Sequence, residues 1–314
     1  MTDMRLIVDS GSTKTDWAFV WPDTSGTQYD GAGCGSRTTP PHRHAMIQTR
    51  GINPVVQDGQ TVASIIDNEL LSESTRLGIC CGNVKEVFYY GAGCTVEKKS
   101  IVEEAIRRTF AAAETVEVES DLLGAARALC GTRQGIAAIL GTGANSCLYD
   151  GRRIARQTPA LGFILGDEGS GAYMGKKLLN GIIKGWLPDG IRDCFFRETG
   201  LSVADIIDRV YHQPMPNRFL ASHAVFVSRH IAECPELEHM VTECLKDFIR
   251  VNVSPYASLQ DTETVHDYTK TINAVGSIAY YFKSQLHSAA NSLGFRVGKI
   301  IKSPLQDLIT FHTK

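Results

Sequence analysis

Unbroken apolar runs, which read as strands, alternate along the chain with apolar residues spaced as on one face of a helix. Leu6-Ile7-Val8 leads into Asp9 and stops at Ser10-Gly11-Ser12-Thr13; a second run covers residues 17–21, and 27–30 begins a third strand. This is the pattern of a β-meander with a tight first turn. It recurs in the second half. Residues 136–140 are apolar, Gly141-Thr142-Gly143-Ala144-Asn145-Ser146 follow, then Cys147-Leu148-Tyr149, the turn Asp150-Gly151, and a third strand over 153–155. A unit that appears twice fixes architecture more firmly than any single element.

Helices and strands alternate after each meander. Val62, Ile65, Ile66, Leu70 and Leu77 mark a helix over 61–77, and Ile101, Val102, Ala105, Ile106 and Phe110 another over 96–113. Strands are predicted at 84–90, ended by Gly91-Ala92-Gly93, and at 116–118. The second half shows helices at about 171–183, 203–210, 219–233 and 237–251, a strand at 271–275, a helix at 278–293 and a strand at 299–302. Two such units predict an α/β protein of two domains with mixed sheets, 1–119 and 120–314, around a central cleft. The last helix, about 305–314, is expected to pack back on the first domain.

Composition agrees with two domains, because 314 residues exceed what one core usually holds. A net charge of -2 offers no basic footprint for nucleic acid. No apolar run approaches the ~18 residues that span a bilayer. The opening Met1-Thr2-Asp3-Met4-Arg5 lacks the basic start and apolar core of a signal peptide. The expectation is a cytoplasmic protein with no membrane partner. Nine cysteines are scattered without a C-x-x-C; Cys80 and Cys81 are adjacent, and most others sit in apolar stretches such as Ala128-Leu129-Cys130. They read as buried, reduced thiols. The histidines form no H-E-x-x-H, and His42-Arg43-His44, after two prolines, reads as an exposed loop.

The two small-residue turns carry the candidate chemistry. Gly, Ser and Thr expose backbone N–H groups with little side chain in the way, which makes a nest for anions. Gly11, Ser12 and Thr13 form the first, and Gly141, Thr142 and Gly143 the second; neither is a Walker A loop. One such turn is an ordinary hairpin in most proteins, but two in equivalent places could grip one polyphosphate. Several carboxylates stand at element ends. Asp9 closes a strand, where Asp also commonly forms turns. Asp121 lies between a strand and a helix, where it or Ser120 would serve as N-cap. Asp167-Glu168-Gly169-Ser170 precedes a helix and reads equally as a capping cluster, and Asn53-Pro54 as a simple turn.

In combination these segments carry a resemblance. DSGSTKTD and LGTGANS are similar to the two phosphate motifs of the actin/hexokinase/Hsp70 superfamily, and TINAVGSIAYYF to its adenosine motif. LGFILGDEGSGAYMGKKLL and SDLLGAARAL resemble segments of the N-acetylglucosamine kinases of the BadF/BadG-type ATPase family. The likeness covers nearly the whole chain in matching order. It implies two ribonuclease H-like (actin-like ATPase) domains and an ATP- and Mg2+-dependent kinase for N-acetylglucosamine or a related amino sugar. Asp121 would be the catalytic base and would contact the sugar. Asp9 would orient magnesium. Gly11, Ser12, Thr13, Gly141, Thr142, Gly143, Gly276 and Ser277 would bind nucleotide. Asn53, Ala144, Asn145, Gly162 and Asp167 would bind sugar, with the backbone around Ala160 and Leu161 beside them. The chain departs from the family at Ser277, where a second Gly is common, and at Ser303-Pro304-Leu305-Gln306-Asp307-Leu308, where the family has a Gly/Ala-rich helix start. The related kinases also suggest a homodimer.

Two rivals belong to the same superfamily. An activator ATPase coupled to a partner reductase would hold an iron–sulfur cluster, and the cysteines lack its spacing. A sensor that keeps the fold without turnover would not need Asp9, Asp121, Asp167 and both turns together. The zinc cluster of the ROK-type sugar kinases is absent from the sequence.

Overall fold

The computed structural model describes residues 3–22, 44–257 and 267–314. Among them the chain forms two compact units, Met1–Gly124 with Pro304–Lys314 and Ala125–Ser303. No helix of the described residues is long and apolar enough to cross a membrane.

In the first unit, β1 (Met4–Ser10) and β2 (Lys14–Val20) form the expected tight hairpin, and β3 (His44–Arg50) pairs antiparallel to β2. Among the described residues the third strand is 44–50; the predicted start at 27–30 lies outside them, as do Cys34, His42 and Arg43. His44 is a correction, since it opens a strand and pairs with Val20 instead of standing in a loop. Ile47 and Thr49 point inward from β3, and Thr49 Oγ1 accepts the indole N–H of buried Trp17 at 2.9 Å. Helices α1 (Gly59–Ile65) and α2 (Leu71–Arg76) flank a π-helical turn, Ile66–Leu70. They precede β4 (Val84–Gly91), α3 (Lys99–Thr109), β5 (Thr115–Ser120) and α4 (Asp121–Cys130), of which Asp121–Gly124 belong to this unit. The sheet order is β3-β2-β1-β4-β5, with β4 parallel to both β1 and β5.

The second unit repeats this plan. Strands β6 (Gly135–Leu140), β7 (Ala144–Tyr149) and β8 (Ile154–Gln157) make the meander. The helical segments are α5 (Gly162–Leu165), α6 (Gly171–Lys184), α7 (Asp189–Thr199), α8 (Val203–Tyr211), α9 (Pro216–Ser222), α10 (Ala224–His230), α11 (Pro235–Phe248) and α12 (Ser254–Ala257). Then come β9 (Thr271–Val275), α13 (Ser277–Tyr281), α14 (Lys283–Ser292) and β10 (Arg296–Ile301). The order β10-β9-β6-β7-β8 is the first sheet's order read from the other edge, with the same parallel and antiparallel pairs.

Some predicted helices are broken. The stretch 219–233 divides at buried His223, whose ring packs against Phe195 and Phe219 and whose pKa burial lowers to about 4. The stretch 278–293 divides at buried Phe282, which leaves helical geometry with φ -107° and ψ 32°. Helix α7 is not evident from the sequence pattern, because adjacent Phe195 and Phe196 blur its period and only Phe195 is buried. Finally α15 (Leu305–Thr313) packs on β1 and β2. His312 stacks on Phe88 at 3.8 Å between ring centres, and its Nε2 lies 2.7 Å from Tyr90 Oη. Arg5 Nη1 donates to the His312 carbonyl at 2.6 Å.

Candidate active site

In the first unit, the hairpin closes when Gly11 N donates to Lys14 O at 2.9 Å. That register sets Asp9 opposite Asp16. Asp16 is buried, and its two oxygens accept from Lys14 Nζ and Gln48 Nε2, each at 2.6 Å. Asp9 is worse provided for. Burial first, then the charges of Asp16 and Asp121, push its carboxyl up to about 7, while Lys14 pulls the other way. Asp121 opens α4, and here the cap question is answered by Ser120, whose Oγ accepts from Leu123 N at 3.3 Å. Burial pushes the Asp121 carboxyl up to about 6, against help from the backbone N–H groups of Leu122 and Asp121. Both acids stand at the carboxyl ends of parallel strands, where open α/β sheets bind ligands.

The segment after β3 leans on the same hairpin. A Cβ on Gly51 would lie 2.4 Å from the carbonyl carbon of Ser12, so only glycine lets the two backbones meet. Asn53 Nδ2 donates to Ser12 Oγ at 3.1 Å, and its Oδ1 accepts from Val55 N at 3.0 Å. Asn53 therefore holds the phosphate-type turn directly.

In the second unit, the turn after β6 closes when Gly141 N donates to Gly143 O at 3.0 Å. The start of α6 is tied to it, because Gly171 N donates to Gly141 O and Ala172 N to Thr142 O. Asp167 takes a left-handed backbone, φ +56°, and its Oδ1 accepts from Ala144 N at 3.2 Å. A Cβ on Gly143 would sit 3.0 Å from Asp167 Oδ2, so the glycine makes room for the carboxylate. Burial raises the Asp167 pKa, with the Ala144 amide opposing. Gly276, at φ +122°, brings the start of α13 against the same turn, where its Cβ would lie 2.2 Å from Leu140 O. Ser277 is exposed beside it. Thus Gly141, Thr142, Gly143, Ala144, Asp167 and Gly276 converge. Asn145 follows on β7, its Oδ1 accepting from Gln157 Nε2 and Ser146 N. Gly162 is exposed at the far end of α5 and its carbonyl bonds Gly166 N within its own turn.

Sequence reasoning passed over two supports of this site. Asp16 was legible, since a turn over 11–14 forces it opposite Asp9. The other support was not legible. A π-helical turn, Ile249–Val253, frees the Asn252 carbonyl to accept from Ser146 Oγ and Thr158 Oγ1, both at 2.9 Å. Asn252 Nδ2 also donates to Glu168 Oε2 at 3.2 Å, which fixes the residue next to Asp167. Tyr256 Oη bonds Ser146 O and Thr158 N, completing the brace. Such turns recur at functional sites.

Eight cysteines are described and all are free. Cys94, Cys130, Cys147, Cys234 and Cys244 are buried as expected, whereas Cys80 is exposed and Cys81 and Cys194 are only half-buried; burial pushes the thiols of Cys94, Cys147 and Cys244 up to about 12 and of Cys130 to about 11.

No family model matches the chain, and no curated protein does. Among solved structures, it is similar over 99% of both chains to the putative N-acetylglucosamine kinase of Porphyromonas gingivalis, at 37% identity and a TM-score of 0.84. The putative N-acetylglucosamine kinase of Chromobacterium violaceum shares the fold over 99% of both chains, at 14% identity and a TM-score of 0.67. The ethanolamine utilization protein EutJ of Carboxydothermus hydrogenoformans shares it over 98% of this chain and 88% of that one, at 15% identity and a TM-score of 0.51. Two like-built mixed sheets, a small-residue turn at the same place in each, and full-length identity of 37% to one of these proteins lead to one statement: the chain belongs to the family of N-acetylglucosamine kinase-like proteins of actin-like ATPase fold.

Proposed function

We propose that this protein transfers the terminal phosphoryl group of ATP to a hydroxyl of N-acetylglucosamine or a related amino sugar. The observation that carries the reading is Asp121: Ser120 Oγ takes the Leu123 N–H at the helix start, burial holds the Asp121 carboxyl at about 6, and its charge helps to raise Asp9 beside it. A base is most effective with a pKa near the working pH. As the sugar oxygen bonds to phosphorus and ADP departs, the hydroxyl proton passes to Asp121.

The residues present suit magnesium. Asp9, Asp16 and Asp121 concentrate negative charge that Lys14 only partly offsets, the donors are all oxygen, and Asp16 is already engaged. Asp9 is the hairpin carboxylate left for the cation, and magnesium asks for only one or two. Bound magnesium neutralises charge on phosphate oxygens. Nucleotide has a matching surface. Gly141 has open space where a Cβ would be, and Gly11 only an ordinary 3.6 Å contact. Packing does not require glycine at either place, whereas the approach of phosphate to backbone N–H groups does.

The test is ATP consumption across a panel of sugars. N-acetylglucosamine or a close amino sugar should support ADP release, and no sugar-dependent release from any member would end the proposal. Asp9→Asn should raise the magnesium concentration needed for half-maximal rate; an unaltered magnesium titration would remove Asp9 from that role. Asn53 and Asp167 are assigned to the sugar, yet each also hydrogen-bonds its unit's phosphate-type turn. Asn53→Ala and Asp167→Ala should therefore weaken sugar binding by roughly tenfold or more, and nucleotide binding measurably as well. Calorimetry with each ligand separates the two effects, and unchanged sugar affinity in both variants would refute the assignment.

A further inference from the structure

Away from the candidate active site, the second unit gathers three different metal-ligating side chains. Cys194 and Glu198 stand four apart on α7, hence on one face, and His230 is the last residue of α10. Cys194 Sγ lies 3.3 Å from Glu198 Oε1 and 3.8 Å from His230 Nε2, and that nitrogen lies 2.9 Å from the same oxygen.

We propose that these three residues form a zinc site with one position open to water. Tetrahedral zinc, with sulfur at about 2.3 Å and nitrogen and oxygen at about 2.0–2.1 Å, separates its ligands by about 3.5 Å for S–N and S–O and about 3.3 Å for N–O. The observed triangle departs from that by a few tenths of an ångström on each edge, within what three side-chain rotations supply. The donor set is also right in kind: thiolate and imidazole select zinc over magnesium or calcium. A thiolate, a carboxylate and a neutral imidazole balance the two positive charges. On binding, Cys194 gives its thiol proton to solvent and His230 gives up the hydrogen on Nε2, the neutral ring keeping one on Nδ1, so that the hydrogen bonds from thiol and imidazole to the carboxylate are replaced by three bonds to the metal.

The platform beneath is rigid. Phe195 meets Phe226 edge-on at 5.2 Å, which joins α7 to α10, and Phe226 lies 4.4 Å from the His230 ring, which fixes its plane. The His230 side chain is only 20% exposed while Glu198 is 35% exposed, so the open position faces water. Arg229, 3.9 Å from Glu198 Oε2, is a competitor, but an ion pair that exposed holds the carboxylate weakly. The zinc would pin two helices of the second unit and leave a site for one exchangeable ligand.

The test uses the full chain, stripped with a chelator, and cobalt(II) as the coloured probe. One equivalent should give a thiolate-to-cobalt charge-transfer band that zinc abolishes by displacement. Cys194→Ser should lose the band. His230→Ala, and His230→Gln as a better-packed alternative, should weaken zinc binding by about tenfold or more, since even an outer partner of a zinc ligand is worth ~10–100-fold. The Cys80→Ser/Cys81→Ser variant, which alters the exposed Cys80 and its neighbour, should keep the band. Circular dichroism checks that each variant is folded. A wild-type protein without the band, or a band that survives Cys194→Ser, overturns the proposal.

Discussion

Asp121→Asn is expected to slow sugar phosphorylation by ~10²–10⁴-fold, the usual range for a general acid–base group, while making the protein harder to unfold at pH 8. The two effects have one cause. Burial holds the folded-state pKa of Asp121 at about 6, above the ordinary 3.8. Between those values the folded protein binds more protons than the unfolded chain, so stability falls as pH rises through that window and stays lowered above it. At pH 8 the ionised carboxylate costs about 1–3 kcal/mol, since each tenfold change in proton affinity is worth ~1.4 kcal/mol. Asparagine keeps the shape and removes the charge. Ser120 Oγ still caps α4, so the helix start is not lost with the acid. Melting temperatures of parent and variant should therefore converge as pH is lowered toward 4, and the parental rate should fall as pH drops through about 6. A variant that is well folded and phosphorylates sugar at the parental rate would leave Asp121 with no role as base.

Gly276→Ala is expected to destabilise the second unit by about 2–6 kcal/mol, the sum of a strained backbone and an overpacked contact. At φ +122° an L side chain is already disfavoured, and here its Cβ would meet backbone, 2.2 Å from Leu140 O and 2.7 Å from the Leu140 carbonyl carbon. Neither strand can yield cheaply, because β6 and β9 are paired through Ile139 and Val275 immediately before the clash. Relief would come from moving the turn at Gly141 or the start of α13, and both are assigned to nucleotide. Melting should drop by roughly 10 °C, and calorimetry with a non-hydrolysable ATP analogue should show weakened binding. Gly162→Ala is the control. Its φ is +72° but nothing lies within 4 Å of the new Cβ, so the cost is limited to local strain of about 1 kcal/mol. Equal melting temperatures for Gly276→Ala and the parent would contradict the geometry.

The contrast between these residues shows what a sequence can disclose. Turns at 11–14 and 141–143 were legible because a few neighbouring residues define them, and their reappearance gave the repeated unit. The pairing of Asp9 with Asp16 was legible in principle from the turn length. The strand 271–275 was found with its bounds unchanged, as short buried runs between turn signals usually are. The partnership of Asn252 with Glu168 was not visible, because 84 residues separate them and the π-helical turn that presents Asn252 has no compositional mark. Asn53 showed its type but not its partner: an Asn-Pro pair announces a turn, whereas its grip on Ser12 arises only once β3 lies beside β2. His44 was misplaced because two prolines nearby outweighed the weak alternation of Ile47 and Thr49.

The helix Leu305–Thr313 has a consequence for how the chain is made. It belongs with β1 and β2, yet the whole of Ala125–Ser303 is synthesised between them. On a ribosome adding ~5–20 residues per second, the first sheet waits at least several seconds with the surface beneath Leu305, Leu308 and Ile309 uncovered. The second unit is continuous in sequence and has no such delay. It can be complete while the first is still open, so the half begun earlier is the half finished later, and Phe88 and Tyr90 wait equally long for the ring of His312.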